Sequence, residues 1–243
     1  MEHLMRNATG CAAFVVLSLS VFALGGCARQ RPPAASARSA GTEQRFADPK
    51  AAVAALLAAC RTNDDPALLA IFGANARELV STGDPEQDRE RCARLVAAAK
   101  QMTRLDPKGP DTLELVVGYD DFPFPIPLVR DAGGWRFDTE EGAQELLRRR
   151  VGADELEAIN VCRAYERNRQ QPPGSWWGYN FRAAPGSDSL VAYPVAYGST
   201  GIMTFIVGRD GRLYEKDLGD KTEKIASGMK TYEPDATWKV VTD

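Results

Sequence analysis

MTFIVGRDGRLYEK, from Met203 to Lys216, is the stretch whose reading decides the fold. An apolar, β-branched run (Met203–Val207) meets Gly208-Arg209-Asp210-Gly211, and a second run (Arg212–Lys216) follows. Asp-Gly favours a tight hairpin because such turns need positive φ, so the stretch predicts two antiparallel strands. Working outward, Trp176–Phe181, Leu190–Tyr193 and a last segment near Trp238–Val241 read as further strands, with a short helix around Thr222–Met229. The break QQPPGS (Gln170–Ser175) sets this end apart, which makes residues 176–243 a β-rich C-terminal domain.

Toward the N-terminus the pattern changes to helical. Asp48-Pro49 opens a helix with Val53, Leu56, Leu57 and Cys60 on one stripe. Asp65-Pro66 opens a second helix that ends at Gly73, and Asp84-Pro85 opens a charged third with Cys92, Leu95, Val96 and Ala99 inward. In each, Asp accepts from orphan N–H groups and Pro fits the first helical position, where no donor is needed. Thr112–Gly118 reads as a strand, and Pro127–Arg130 with Gly134–Phe137 as a hairpin. Asp138, with Glu141 three residues on, predicts a capping box and a helix ending at Arg148-Arg149-Arg150; Asp154 begins another that runs to Asn168. The fold class is therefore α+β: a helical N-terminal part with a small antiparallel sheet (43–169), then the β-rich C-terminal domain.

Residues 1–26 read as a lipoprotein signal peptide. Arg6 precedes an apolar run, Cys11–Leu24, too short to span a bilayer comfortably. Leu24-Gly25-Gly26-Cys27 resembles a bacterial lipobox: cleavage falls between Gly26 and Cys27, and the Cys27 thiolate accepts the lipid. Residues 27–42, rich in Ala, Ser, Pro and Arg, form a tether. The expected location is the cell envelope, membrane-held through Cys27; the residue after it is Ala28, which in a Gram-negative cell points to the outer membrane, facing the periplasm.

Charge and composition narrow the function. A net charge of −3 gives no long-range field for nucleic acid. The single histidine is His3, inside the signal peptide, so Ser-His-Asp and Cys-His catalysis and most zinc chemistry have no imidazole to work with. No cofactor, metal site or catalytic residue is expected. Past Cys27 stand Cys60, Cys92 and Cys162. An exported compartment permits disulfides, and Cys60 and Cys92 fit either a bond or two small buried hydrophobes.

A resemblance enters with DDFPFPIPLVR, GGWRFDT, LLRRR, INVCRAY, VAYPVAYGSTGIMTFIVGRDGRLYEKDLG and DATWKVV. These strings are similar to an uncharacterised bacterial family of exported proteins, domain of unknown function 2950, across Phe46–Val241. The resemblance implies no activity. Family members carry a longer segment between the VCRAY-like helix and the GYxF-like strand, so the stretch from Tyr165 to Gly178 is short here. By weaker analogy, the front resembles NTF2-like cones that enclose a pocket, and the back resembles a pilin-type sheet.

The remaining candidates have mundane readings beside functional ones. Acid pairs Asp64-Asp65 and Glu140-Glu141 sit at helix starts, and Asp120-Asp121 ends a strand. The Arg148–Arg150 run complements a helix C-terminus or binds phosphate or lipid. Phe122 and Phe124 alternate with Pro123, Pro125 and Pro127, which suits an edge strand or a docking edge. Trp176, Trp177, Tyr179, Tyr193 and Tyr197 form an aromatic-rich candidate surface, with Trp177 and Tyr179 on one strand face and Trp176 on the other. The expectation is a non-catalytic, lipid-anchored scaffold with a protein partner in the envelope; the alternative is a pocketed ligand-binding or carboxylate-based hydrolytic module.

Overall fold

The structure, a computed structural model, describes residues 43–169, 172, 174–184 and 188–242. The expected signal peptide, its cleavage site at Gly26 and Cys27, and the expected tether lie outside the described residues.

Four helices come first: α1 (Pro49–Thr62), α2 (Asp65–Phe72), α3 (Arg77–Val80) after a 3-10 turn, and α4 (Pro85–Gln101). The Asp-Pro reading holds for α1 and α4, where Asp48 and Asp84 accept N–H groups of the first turn. For α2 the cap lies one residue earlier, at Asp64, whose carboxylate takes the Ala67 N–H at 3.0 Å.

The first sheet is antiparallel. It contains β1 (Thr103–Gly109), β2 (Thr112–Val117), β3 (Phe122–Pro123), β4 (Leu128–Asp131) and β5 (Gly134–Phe137), in the order β1-β2-β4-β5, with β3 also pairing β2. Strand β1 has no apolar alternation; Arg104 binds Asp106 and Asp121, and Lys108 binds Glu114, on the wet side. Residues around Phe46 bridge to Trp135 and extend the β5 side. The mostly buried Arg136 lies within 4 Å of Glu43, Asp131 and Asp138, tying that segment to the β4–β5 turn and the next helix start. One core, built on Leu56, Ile71, Phe72, Leu115, Leu128 and Phe137, joins the helices to this sheet.

The largest correction concerns α5, one helix from Thr139 to Asn168, 30 residues without a break at Gly152. Asp138 caps it by accepting the Glu141 N–H at 3.4 Å, but Glu141 turns its carboxylate forward to Arg148 rather than back to the cap. The Arg148–Arg150 run is therefore mid-helix and complements no C-terminus. Arg148 and Arg149 pair with Glu145, Arg149 also donates to the Pro123 carbonyl at 2.9 Å, and Arg150 donates to the Ser199 carbonyl at 3.1 Å.

The second sheet is a six-strand antiparallel meander, β11-β10-β9-β8-β7-β6, made of β6 (Ser175–Trp176), β7 (Tyr179–Ala183), β8 (Leu190–Pro194), β9 (Met203–Val207), β10 (Leu213–Asp217) and β11 (Lys239–Val240). The hairpin read from Met203–Lys216 is β9–β10. Sheet faces alternate along each strand. Tyr179, Phe181, Phe205 and Val207 pack with Ala158, Cys162 and Tyr165 of α5. Val191, Tyr193 and Ile206 pack on the other face with Ala226 of α6 (Thr222–Gly228) and with Tyr232. Glu155 of α5 accepts the Ile202 and Met203 N–H groups at 2.7 and 2.9 Å, which fixes the start of β9. The residues from Ala40 onward form one compact unit.

Candidate functional site: an apolar pocket under α4

The helices do not close completely on the first sheet. Between them lies a cavity of about 720 Å³. Leu56 and Cys60 of α1, Leu68 and Phe72 of α2, and Leu79 and Val80 of α3 form one side; Leu95 and Ala98 of α4 roof it. Val117 of β2, the Phe122–Ile126 segment and Leu146 of α5 complete the wall.

The proline-interrupted segment is shaped for this place. Phe122 and Pro123 pair with Val117 and Val116, Phe124 still donates its N–H to the Leu115 carbonyl at 2.7 Å, and the chain leaves the ladder at Pro125, which has no N–H to give. It returns as β4, pairing lower on the same strand. The segment is thus no free docking edge: it lies against β2 and α5. Phe124 packs edge-on to Phe137 at 6.1 Å and stacks toward Phe72. Phe122, half exposed, lies under the Arg149 guanidinium at 5.5 Å. Both phenylalanines line the pocket.

A disulfide joins Cys60 to Cys92, with Cα atoms 4.9 Å apart, and cross-links α1 to α4 in the pocket wall. Cys162 is free and fully buried; burial pushes its thiol well above the usual range, so it is no ready nucleophile.

Five charged side chains stand around the cavity: Asp88, Arg91 and Arg94 of α4, Asp120 and Arg149. Asp88 is spent on local structure. It accepts from the Ser81 hydroxyl at 2.9 Å and from the Thr82 N–H and hydroxyl at 3.0 and 2.9 Å. The Thr82 N–H above all holds its carboxyl below the usual range. Asp121 faces away and binds Arg104 at 2.8 Å, so the Asp120-Asp121 pair is divided between pocket and surface. Asp64 caps α2, and Glu141 of the Glu140-Glu141 pair binds Arg148. Among the described residues, no group of three or more His, Cys, Asp or Glu is placed to hold a metal ion.

The aromatic candidates separate. Tyr179 is fully buried on the α5 face and donates its hydroxyl to the Met203 carbonyl at 2.9 Å. Tyr193 is buried on the opposite face. Tyr197 hydrogen-bonds Asp217. Trp176 and Trp177 are half exposed, but Trp177 is not on a strand: with φ of 44° it shares the β6–β7 turn with Gly178 at φ of 70°. Two consecutive positive φ values make the tight turn that a straight strand reading of Trp176–Phe181 overlooks. The pocket itself escaped the sequence reading, because the inward stripe of α4 says which side faces in and not whether the space is filled.

A family model described as protein of unknown function (DUF2950) matches residues 43–173 and 183–241, which covers α1–α5, the first sheet and β8–β11; β6 and all but the last residue of β7 fall in the gap. No curated protein and no solved structure matches the chain.

Proposed function

The chain belongs to the DUF2950 family, and on that premise we propose that it is a lipid-anchored envelope protein that binds an apolar ligand in the pocket under α4. One observation carries the binding half of this reading. A cavity of about 720 Å³ walled by leucine, valine and phenylalanine lies within the size range of small-molecule sites, roughly 300–1,000 Å³. The anchor half rests on Leu24-Gly25-Gly26-Cys27, and a body carrying a Cys60–Cys92 disulfide suits an oxidising, exported compartment. No described helix is long and apolar enough to cross a membrane.

Carboxylate-based hydrolysis has less support, since Asp88 is committed to Ser81 and Thr82 and Asp121 to Arg104. The scaffold reading keeps Trp176, Trp177 and the part-exposed Tyr197 of its aromatic surface, Tyr179 and Tyr193 being interior.

Two measurements test the proposal. Titration with the neutral dye N-phenyl-1-naphthylamine should give saturable, blue-shifted fluorescence at one site per chain, abolished by Leu95→Trp, which fills the cavity. Absence of saturable binding overturns the ligand reading. Labelling cells with an alkynyl fatty acid should mark wild type and not Cys27→Ala; equal labelling overturns the anchor.

A further inference from the structure

We infer that the pocket's ligand is an anionic amphiphile, its hydrocarbon chain held under α4 and its carboxylate or phosphate head met by Arg91 and Arg94 at the mouth. The inference rests on the pocket reading above and adds the chemistry of the ligand.

The inner wall dictates the hydrocarbon part. Leu56, Leu68, Leu95, Val117, Phe124 and Ile126 offer no side-chain donor or acceptor. A ring nitrogen or carbonyl entering this space would lose its water partners and gain none. Planar cofactors rich in heteroatoms are therefore disfavoured, and an alkyl chain, each of whose methylenes gains by leaving water, is favoured.

The charged rim dictates the head. Three guanidinium groups and two carboxylates line the cavity, but they are not equally free. Asp88 accepts three hydrogen bonds from Ser81 and Thr82. Arg149 is committed to Glu145, to the Pro123 carbonyl and to the Phe122 ring. Among the described residues, Arg91 donates to the Leu79 carbonyl at 3.3 Å and stands 3.7 Å from Asp88, which leaves most of its five donors without a described acceptor. Arg94 pairs with Glu90 at 3.3 Å, both well exposed, and such a surface pair holds its partner weakly. Three residues apart on one helix, Arg91 and Arg94 face the same side.

Asp120 would repel an anion, and its place orients the ligand. It lies two residues past Gly118, which packs on Ala98. At 1.5 Å rise per residue, Ala98 is about 10 Å along α4 from Arg91. The anionic head therefore belongs at the Arg91 end, and the uncharged tail runs toward Ala98 and Asp120.

The test uses the full-length exported chain and displacement of N-phenyl-1-naphthylamine by three probes with the same chain length: palmitate, palmitoyl lysophosphatidate and hexadecanol. Both anions should displace the dye at concentrations at least tenfold below hexadecanol. Arg91→Gln/Arg94→Gln should erase that advantage, bringing both anions to within twofold of hexadecanol. Independently, raising salt from 0.05 to 0.5 M should weaken palmitate severalfold in wild type and leave hexadecanol unchanged. Whichever anion is tighter names its source as free fatty acid or phospholipid. If hexadecanol matches both anions, or salt moves neither, the anionic head is refuted while the pocket stands. If the dye and all three probes fail to bind, the pocket reading falls with it.

Discussion

Breaking the Cys60–Cys92 bond should cost the helical layer about 3.7 kcal/mol. The bond spans 32 positions, and in the chain-entropy account closing a loop of that length removes about 12.4 cal/mol/K from the unfolded ensemble. Measured values for native disulfides run from roughly 2 to 5 kcal/mol. Against a typical domain stability of about 5–15 kcal/mol, the loss is large enough to read without ambiguity. The enclosed stretch contains α2, α3 and the start of α4, so the effect belongs to the unfolding of the pocket wall. Urea denaturation of the oxidised protein, the same protein in dithiothreitol, and Cys60→Ala/Cys92→Ala supplies the assay. With a slope of about 2.5 kcal/mol per molar urea, the midpoint should fall by about 1.5 M on reduction. The double alanine variant should fall at least as far, because it also loses sulfur packed in the core. If dithiothreitol leaves the midpoint unmoved, and the urea-unfolded, unreduced chain reacts at both Cys60 and Cys92, the reasoning is refuted.

Two further outcomes follow from other parts of the structure. A Cβ added at Gly201 would sit 2.5 Å from Cζ of the fully buried Tyr179 and nearer still to its hydroxyl, so Gly201→Ala should lower stability by about 1–3 kcal/mol, seen as a drop in Tm; an unchanged Tm would show that β9 shifts freely. Asp88 has a folded pKa below its usual 3.8, so its contribution is present above that value and lost as pH falls through the lower, folded value; Asp88→Asn should therefore destabilise at pH 7 and flatten the acid limb of the stability curve, and an unchanged acid limb would count against the Thr82 contact.

What the sequence made legible, and what it hid, follows from the range of the forces involved. Asp-Pro helix starts and the Asp210-Gly211 hairpin are local chemistry, and they stand where the residues put them, Asp64 displacing Asp65 as cap by one position. The sequence suggests one helix ending at Arg150 and another starting at Asp154, but α5 runs unbroken through Gly152 between them. A helical glycine costs about 1 kcal/mol, and the burial of Val151, Ala158, Cys162 and Tyr165 along the same helix outweighs it. Strand β1 was missed because TRLDPKG carries its charges as cross-strand and surface ion pairs rather than as a solvated loop. Tyr179 and Tyr193 looked like one patch, but pairing places Asn180, not Tyr179, opposite Tyr193, and the two rings enter different cores. The pocket depends on how four helices fail to fill a volume, which no periodicity records.

The continuity of α5 has a consequence for modularity. Arg149 fastens the helix to Pro123 in the first half and Arg150, the next residue, fastens it to Ser199 in the second. The clasps to both halves thus lie within one helical turn, beside Gly152, the position a reader of the sequence would choose as a hinge. A fusion, permutation or truncation made there would sever a rod about 45 Å long and strand half of its buried stripe in water. Fragments that are to keep either sheet folded should therefore retain residues 139–168 whole.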